Sequence, residues 1–406
     1  MSYLGEVRQN VRPLAAASLG VGTSLPLFAY TNSVFAPFLI EEFGWSRAEF
    51  ALIGLTMLVT LPFLPIIGRM TDKIGVKRVA LTGTLLILPC YIAYSQMQGN
   101  FIVFLALFTL VLIVASMTST LVYTRIVAEN FKQAQGLALT IVNCAPAVLA
   151  IALIPLLNML IESVGWRTSY VILGAFCFVC GMIAILLLPP EKPREDAVRM
   201  VEAPLQSGKS GDYAIILRSK LFWIITIGMF LCLLQTQLHS SQMNLMLLDQ
   251  GLNTQTAANI VSIYAFGTIV GRIACGLALD RFSTPIVTFI SMILPALGFF
   301  MLGSSLDAYT VVAVAMFLVG LSVGAESDII AFLVARYFKI RIYNSTLSLL
   351  FCCAFLASAA GALGVSYTLR VYDSFEPFLF VIAGSIVIGS FLFLLMPKSR
   401  TFEKIG

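Results

Sequence analysis

The stretch GRMTDKIGVKR, residues 68–78, decides the fold, because its outline returns as GLALDR at residues 276–281. Gly68-x-x-x-Asp72-Lys73 recurs as Gly276-x-x-x-Asp280-Arg281, an offset of 208 (276 − 68). Val127-Ala128-x-x-Phe131-Lys132 recurs as Val334-Ala335-x-x-Phe338-Lys339, an offset of 207 (334 − 127). Two short matches at nearly one offset, each at the same point of its half, are the mark of internal duplication. Chance likeness between two basic loops is the competing account, and the shared offset weighs against it.

Long apolar runs surround both copies. The chain of 406 residues is 59% apolar and 11% charged, with a mean hydropathy of +0.95. Soluble domains carry about a quarter charged residues, so there is too little charge here to cover a water-soluble globule, and lipid must be the solvent for most of the surface. Crossing the hydrocarbon takes roughly 20 residues. The sequence predicts twelve spans, at 13–40, 48–68, 78–97, 101–128, 136–161, 168–189, 219–247, 256–279, 285–303, 309–335, 343–369 and 376–396. Ser46 with Glu49 forms a capping box that opens the second. Asn100, Asp307 and the stretch from Asp373 to Pro377 mark other breaks. The first run far exceeds a signal-peptide core of roughly 7–15 residues and reads as an uncleaved span.

Basic residues set the orientation. With the N-terminus in the cytoplasm, the inner segments collect Arg8, Arg12, Arg69, Lys73, Lys77, Arg78, Lys132, six residues in 190–220, Arg281, Lys339, Arg341, Lys398, Arg400 and Lys404. The outer loops hold Arg47, Arg167 and Arg370. The positive-inside rule then places both termini in the cytoplasm and explains the net charge of +5 without nucleic acid. Residues 190–218, polar and rich in Pro, Gly and mixed charge, read as a cytoplasmic linker. It joins a first six-helix bundle, residues 1–189, to a second, residues 219–406. All eight cysteines lie in apolar runs without disulfide or zinc spacing, and Cys177-x-x-Cys180 reads as a pair of packing residues.

At residues 68–78 the chain resembles the major facilitator superfamily, whose signature loop joins its second and third helices: Gly68, Asp72, Gly75, Lys77 and Arg78 match. The resemblance extends over essentially the whole chain. It implies an all-α membrane fold of two six-helix bundles, and a gating loop formed by these five residues with Gly276, Asp280 and Arg281 in the repeat. The physics suits that role: Gly68 permits close helix approach, and Asp72 can accept from helix N-terminal amides and from a basic partner. Within the superfamily the chain is similar to the monocarboxylate transporters and oxalate/formate exchangers. FGWSRAEF (43–50) resembles bacterial members. Phe131 with Leu137-Ala138 loosely resembles the monocarboxylate signature, and Arg272-x-x-x-Gly276 resembles the substrate-binding arginine and glycine of the eighth helix. The departures are definite. The first-span signature of the animal members is absent, Thr268 stands where they carry an acid, the eleventh span has no lysine, and the antiporter Gly-Pro motif is reduced to Ala145-Pro146.

Ionisable residues in hydrocarbon are costly unless paired or wet, so each is a functional candidate. Arg272 lies roughly 12 Å along the helix from Asp280 and is read as the receptor of a substrate carboxylate through parallel guanidinium donors; a structural pairing with an acid of the tenth span is the alternative. Glu326 and Asp328, two residues apart on that span, point in nearly opposite directions. At least one is a candidate for proton coupling, against a purely structural ion pair. Arg125 precedes Glu129 by four residues, the spacing of a helical ion pair, and matches an arginine frequent in the fourth helix of the superfamily. His239, the single histidine, stands among Gln235, Gln237 and Gln242 and is a candidate proton shuttle or a packed residue. Tyr30, Asn32, Tyr123, Asn143 and Tyr264 are further candidates for a substrate cavity, or else residues joining helices.

Transporters are often built from such repeats, with the substrate site near mid-membrane between them. The residues and the resemblance together point to secondary transport of a small organic anion, a monocarboxylate, by proton symport. The expected protein is a multi-pass monomer of a cell inner membrane, whose partners are the solute, protons and lipid, and which takes no cofactor. A proton-driven exporter of drugs or metabolites is the competing transport reading. A membrane receptor and a membrane enzyme are remote; the latter lacks any metal cluster or phosphate-binding loop.

Overall fold

Helix ends fall where the chain supplies caps and left-handed glycines. The computed structural model describes residues 3–45, 53–189, 211–236, 238, 243, 246–247, 252, 254–304, 308–398 and 404–405. Ser46, Arg47, Glu49, Gln237, His239, Gln242, Asp307, Arg400 and most of the 190–218 linker lie outside the described residues. The helices are α1 (Tyr3–Gln9), α2 (Val11–Gly22), α3 (Leu25–Phe43), α4 (Ile53–Thr60), α5 (Phe63–Ile74), α6 (Val76–Ser95), α7 (Phe101–Ser116) and α8 (Thr120–Asn130). They continue as α9 (Gln135–Leu187), α10 (Gly211–Arg218), α11 (Lys220–Leu233), α12 (Thr254–Arg281), α13 (Thr284–Gly303), α14 (Tyr309–Tyr337), α15 (Tyr343–Tyr372) and α16 (Glu376–Phe393).

Asn100 caps α7, its Oδ1 accepting from the amides of Ile102 at 2.9 Å and Val103 at 3.2 Å. Ser119 does the same for α8, and Ser219 for α11. Such caps satisfy amides that the first helical turn leaves without partners. Gly75, at φ 93°, separates α5 from α6. Gly165, at φ 80° and ψ 160°, breaks the 53-residue α9 into two stretches. Each stretch is of span length, roughly 1.5 Å per residue.

Nine helices among the described residues are long and apolar enough to cross a membrane. There are ten if α10 and α11, bent by 70°, form one span. The difference from twelve has local causes. Leu61 and Pro62 interrupt the second span between α4 and α5, whose first residues lie outside the described set; proline cannot donate to a helical ladder. The seventh expected span, 219–247, extends past α11 into residues that are only partly described. Ile102, Ile151 and Leu363 stand 77%, 76% and 73% exposed, the surface expected of helices solvated by hydrocarbon.

The chain forms two units. The first comprises Met1–Ala134, Ile141–Tyr213 and Ile340–Leu349; the second comprises Gln135–Thr140, Ala214–Lys339 and Leu350–Gly406. Each therefore takes a short segment from the opposite half of the sequence. The first unit has an aromatic core in which Phe35 stacks on Tyr170 at 3.7 Å and Phe28 meets Tyr91 and Tyr94 edge-on. At one end Trp45 Nε1 donates to the Gly99 carbonyl at 3.1 Å. There Trp166 Nε1 and Arg167 both donate to Glu42, and the guanidinium lies over the Trp166 ring. Those two donors hold the Glu42 carboxyl below its ordinary range.

In the second unit α12 and α14 meet backbone to backbone. Gly267 and Gly271 of α12 face Gly320 and Gly324 of α14, so near that a Cβ on Gly271 or Gly324 would stand 2.0 Å from a carbonyl oxygen of the opposite helix. Small residues four apart allow this approach in lipid, where contact and hydrogen bonding replace the hydrophobic effect as the force joining helices. The C-terminal tail caps α14: Lys339 N donates to Ile405 O at 2.8 Å, and Ile405 N donates to Tyr337 O at 3.0 Å.

Candidate functional site

Two carboxylates close the ends of two helices by the same device, one in each unit. In the first, Asp72 ends α5. Its Oδ1 accepts from Arg125 Nη1 at 2.8 Å and from the Asn344 amide at 3.0 Å, and its Oδ2 accepts from the Ser345 amide at 2.7 Å. In the second, Asp280 ends α12. Its Oδ1 accepts from the Gly136 amide at 2.6 Å and its Oδ2 from the Leu137 amide at 3.1 Å. The partners repeat at the offset of the carboxylates themselves: 344 − 136 and 280 − 72 both give 208. In each case an anion meets the positive end of a helix.

Gly68 and Gly276 make room for the clasps. A Cβ on Gly68 would stand 2.4 Å from Asn344 O, and one on Gly276 would stand 2.2 Å from Thr140 Oγ1. The clasps differ in one respect. Arg125, itself buried, also donates from Nε to Glu129 at 2.8 Å, so Asp72 lies in an ion cluster. Burial pushes the Asp72 carboxyl up to about 6, against the downward pull of Arg125 and the two amides. Lys73, Lys77, Arg78 and Arg281 are exposed.

Three partners escaped the sequence reading. Asp212 of α10 pairs with Arg69 and with Arg341, each at 3.3 Å. Tyr213 donates to the Pro65 carbonyl at 2.7 Å and lies under the Arg69 guanidinium. Glu6 of α1 accepts from the amides of Lys132, Gln133 and Ala134 at 2.8, 2.9 and 2.8 Å. Burial raises the Glu6 carboxyl, but the three amides outweigh it and leave it below the ordinary range. No residue pattern betrays backbone partners; the repeat offset was the one available signal.

Arg272, Glu326 and Asp328 all lie in the second unit. Arg272, half-buried on α12, donates from Nε to the Gly324 carbonyl of α14 at 3.1 Å. Its charge acts on Glu326, two residues further along α14. Gln235, fully buried just beyond α11, donates from Nε2 to Glu326 Oε1 at 3.0 Å. Asp328 turns elsewhere: its Oδ2 lies 3.2 Å from Thr140 Oγ1, which lies equally near the Arg272 carbonyl. Glu326 thus joins the turn after α11 to α14, whereas Asp328 holds the first turns of α9. Thr268, at the position where the resemblance expects an acid, bonds to the Tyr264 carbonyl at 3.1 Å; Tyr264 is half-buried on α12.

The remaining candidates belong to the first unit. Tyr30 is 44% exposed and Asn32 is half-buried. Asn143 is buried, with Thr120 Oγ1 at 3.4 Å from its Oδ1. Tyr123 is wholly buried against Gly20. Its hydroxyl and that of Thr84 have no partner among the described residues. Both line a small pocket with Thr23, Thr118 and Cys177, a space for about one water.

This chain belongs to the Major Facilitator Superfamily, whose family model matches residues 17–362. It is a multi-pass membrane transporter and not an enzyme. It is 27% identical over 242 residues to an MFS-type transporter of Aspergillus terreus, pytF, an alignment that covers 59% of this chain and 78% of that one. It is 23% identical to the 4-hydroxybenzoate transporter PcaK of Pseudomonas putida, covering 75% of this chain and 74% of that one. Human monocarboxylate transporter 11 is 25% identical, covering 71% of this chain and 61% of that one. Among solved structures, the fucose transporter FucP in its outward conformation superposes with a TM-score of 0.74 over 96% of this chain and 98% of its own, at 11% identity. The proton:xylose symporter XylE gives 0.68 over 100% and 98%, at 13% identity. These likenesses show the fold.

Proposed function

We propose that this transporter moves a small organic anion, a monocarboxylate, together with a proton, by alternating access. The observation that carries the reading is the cation Arg272, whose Nε donates to the Gly324 carbonyl, two residues before the carboxylate Glu326, where close glycine packing joins α12 to α14. An ionised Glu326 competes with the solute for the field of the guanidinium. Protonation of Glu326 removes that competition and leaves the cation to a carboxylate, so proton and anion bind together. The names of two relatives, for 4-hydroxybenzoate and for monocarboxylates, accord with an anionic cargo. Tyr30, Asn32, Tyr123, Asn143 and Tyr264 are the proposed supporting residues. Asp328 and His239 are further candidates for the proton path.

The architecture proposed around this site has twelve spans in two six-helix bundles, residues 1–189 and 219–406. Residues 190–218 link them, and both termini are cytoplasmic, in a monomer of a cell inner membrane. The Asp72 and Asp280 clasps, with Gly68, Gly75, Lys77, Arg78, Gly276 and Arg281, serve as its gating elements.

Purified protein in liposomes tests the proposal, with a panel of labelled monocarboxylates and aromatic acids, with and without an inward proton gradient. Carboxylate uptake should rise with the gradient. It should fall at least about tenfold in Arg272→Ala, as for loss of one charged hydrogen bond, with expression and melting retained. Undiminished uptake in that variant would remove the anion site. Accumulation of a hydrophobic cation in acid-inside vesicles, with no response to carboxylates, would identify an exporter instead.

A further inference from the structure

Gln235 occupies an unusual place. α11 ends at Leu233, and the chain makes a turn at Leu234–Gln235. Gly361 of α15 fits so closely under this turn that a Cβ there would stand 2.0 Å from Leu234 O. Broken helices at membrane depth persist where protein or a lined cavity satisfies the freed backbone, and such breaks commonly flank binding sites. From this fixed turn Gln235, 0% exposed, sends Nε2 to Glu326 Oε1. Its other amide atom, Oε1, is buried with no hydrogen-bond partner among the described residues, an expensive arrangement to leave permanently unmet.

A primary amide carries two donors at one end and an acceptor at the other. Toward an ionised carboxylate it must present Nε2. Toward a protonated carboxyl it can present Oε1 and receive the acid's O–H. The terminal torsion of glutamine is broad and roughly two-fold, so half a turn exchanges the two ends within nearly the same volume. We propose that Gln235 is the positioning residue that lets Glu326 alternate between its charged and neutral forms, turning its amide over as the proton arrives and leaves. This rests on the reading of Glu326 as the coupling carboxylate. A proton from water on one side of the membrane joins a Glu326 oxygen, and that O–H donates to Gln235 Oε1. Release to water on the other side restores the carboxylate and returns Nε2 to it. A lysine or arginine in this place would hold only the ionised form, and an apolar side chain would favour only the neutral one. Among the described residues, the charged and titratable groups acting on Glu326 from neighbouring helices are Arg272 of α12 and Cys232 of α11. Cys232 Sγ lies 3.8 Å from Ser390 Oγ of α16. Asp328 on the same helix is directed to Thr140.

The test is the pH profile of labelled benzoate and propionate uptake in liposomes. Gln235→Lys, which stabilises the carboxylate, should move the midpoint toward acid by about one pH unit or more. Gln235→Met, which withdraws the donor, should move it toward alkali by a similar amount. Gln235→Asn, which keeps both amide ends, should stay nearer the wild type. A merely structural residue would change the rate and leave the midpoint in place. Should Gln235→Met fail to fold, the direction of the lysine shift decides alone. If neither Gln235→Lys nor Gln235→Met can be compared by uptake, infrared difference spectra with isotope-labelled glutamine decide: the proposal requires the Gln235 carbonyl band to move with Glu326 protonation. Unmoved midpoints, or an unmoved band, overturn it. Glu326→Gln separates the two readings. If that variant keeps proton-driven uptake, the coupling assignment itself fails; if it loses it while the Gln235 variants keep the wild-type midpoint, only the present inference falls.

Discussion

Alanine at Gly324 should damage this protein far more than its size suggests. The added Cβ would lie 2.0 Å from Thr268 O, 2.9 Å from Arg272 N and 2.9 Å from Thr268 C, all backbone atoms of α12. No flexible side chain can give way, so the helices must part by about 1.4 Å to reach an ordinary contact near 3.4 Å. Such a shift would stretch the Arg272 Nε to Gly324 O bond from 3.1 Å to about 4.5 Å, past any useful length. Forced overpacking costs about 1–3 kcal/mol, and loss of a hydrogen bond to a charged group about 1.5–3 kcal/mol. Alanine returns roughly 0.5–1 kcal/mol of helix propensity, which leaves a net loss of about 2–5 kcal/mol. Gly384, on an exposed face of α16 with nothing within 4 Å of its added Cβ, supplies the control. There the same change should stabilise by about 0.5–1 kcal/mol. Denaturant unfolding in mixed micelles, followed by intrinsic fluorescence, measures both, and carboxylate uptake reports the loosened arginine. Equal effects of Gly324→Ala and Gly384→Ala, or wild-type uptake with unchanged stability in the former, would refute the argument from close approach.

Acid should act on the Asp72 and Glu6 carboxyls in opposite senses. Asp72 has a folded pKa of about 6 against an ordinary 3.8. It therefore contributes stability that is full below about pH 4 and lost as pH rises through 6, an amplitude of up to about 3 kcal/mol. Melting curves from pH 4 to 7 should show this fall in the wild type and not in Asp72→Asn. Glu6, with its pKa lowered, contributes above its ordinary range and loses that contribution as pH falls. Glu6→Gln leaves at least one of three amides without an acceptor, at a cost of about 1–3 kcal/mol. Hydrogen exchange at residues 132–134 should quicken in that variant, and unchanged exchange would show that the Glu6 contacts are idle.

The duplication, the membrane solvent and the family were all legible in the sequence, because each leaves a one-dimensional trace: an offset, an apolar run, a motif. The span pattern was legible less completely, since Pro62 and the turn at Leu234–Gln235 interrupt helices that apolar composition alone presents as continuous. Arg272, Glu326 and Asp328 stood out because charge in an apolar run is costly wherever it points. Their partners did not stand out. Gln235 looked like one of several glutamines, and Gly324 like an ordinary small residue.

The sequence by itself determined that two related halves live in lipid and where their few charges lie along each helix, because periodicity and transfer cost act locally along a chain. Only the tertiary structure decided that Asp72 grips Asn344 and Ser345, that Asp280 grips Gly136 and Leu137, and that Glu326 turns to Gln235 while Asp328 turns to Thr140. Those pairings join residues distant in the chain, most of them through backbone amides that every residue shares. They become specific only when glycines let the helices come close enough to touch.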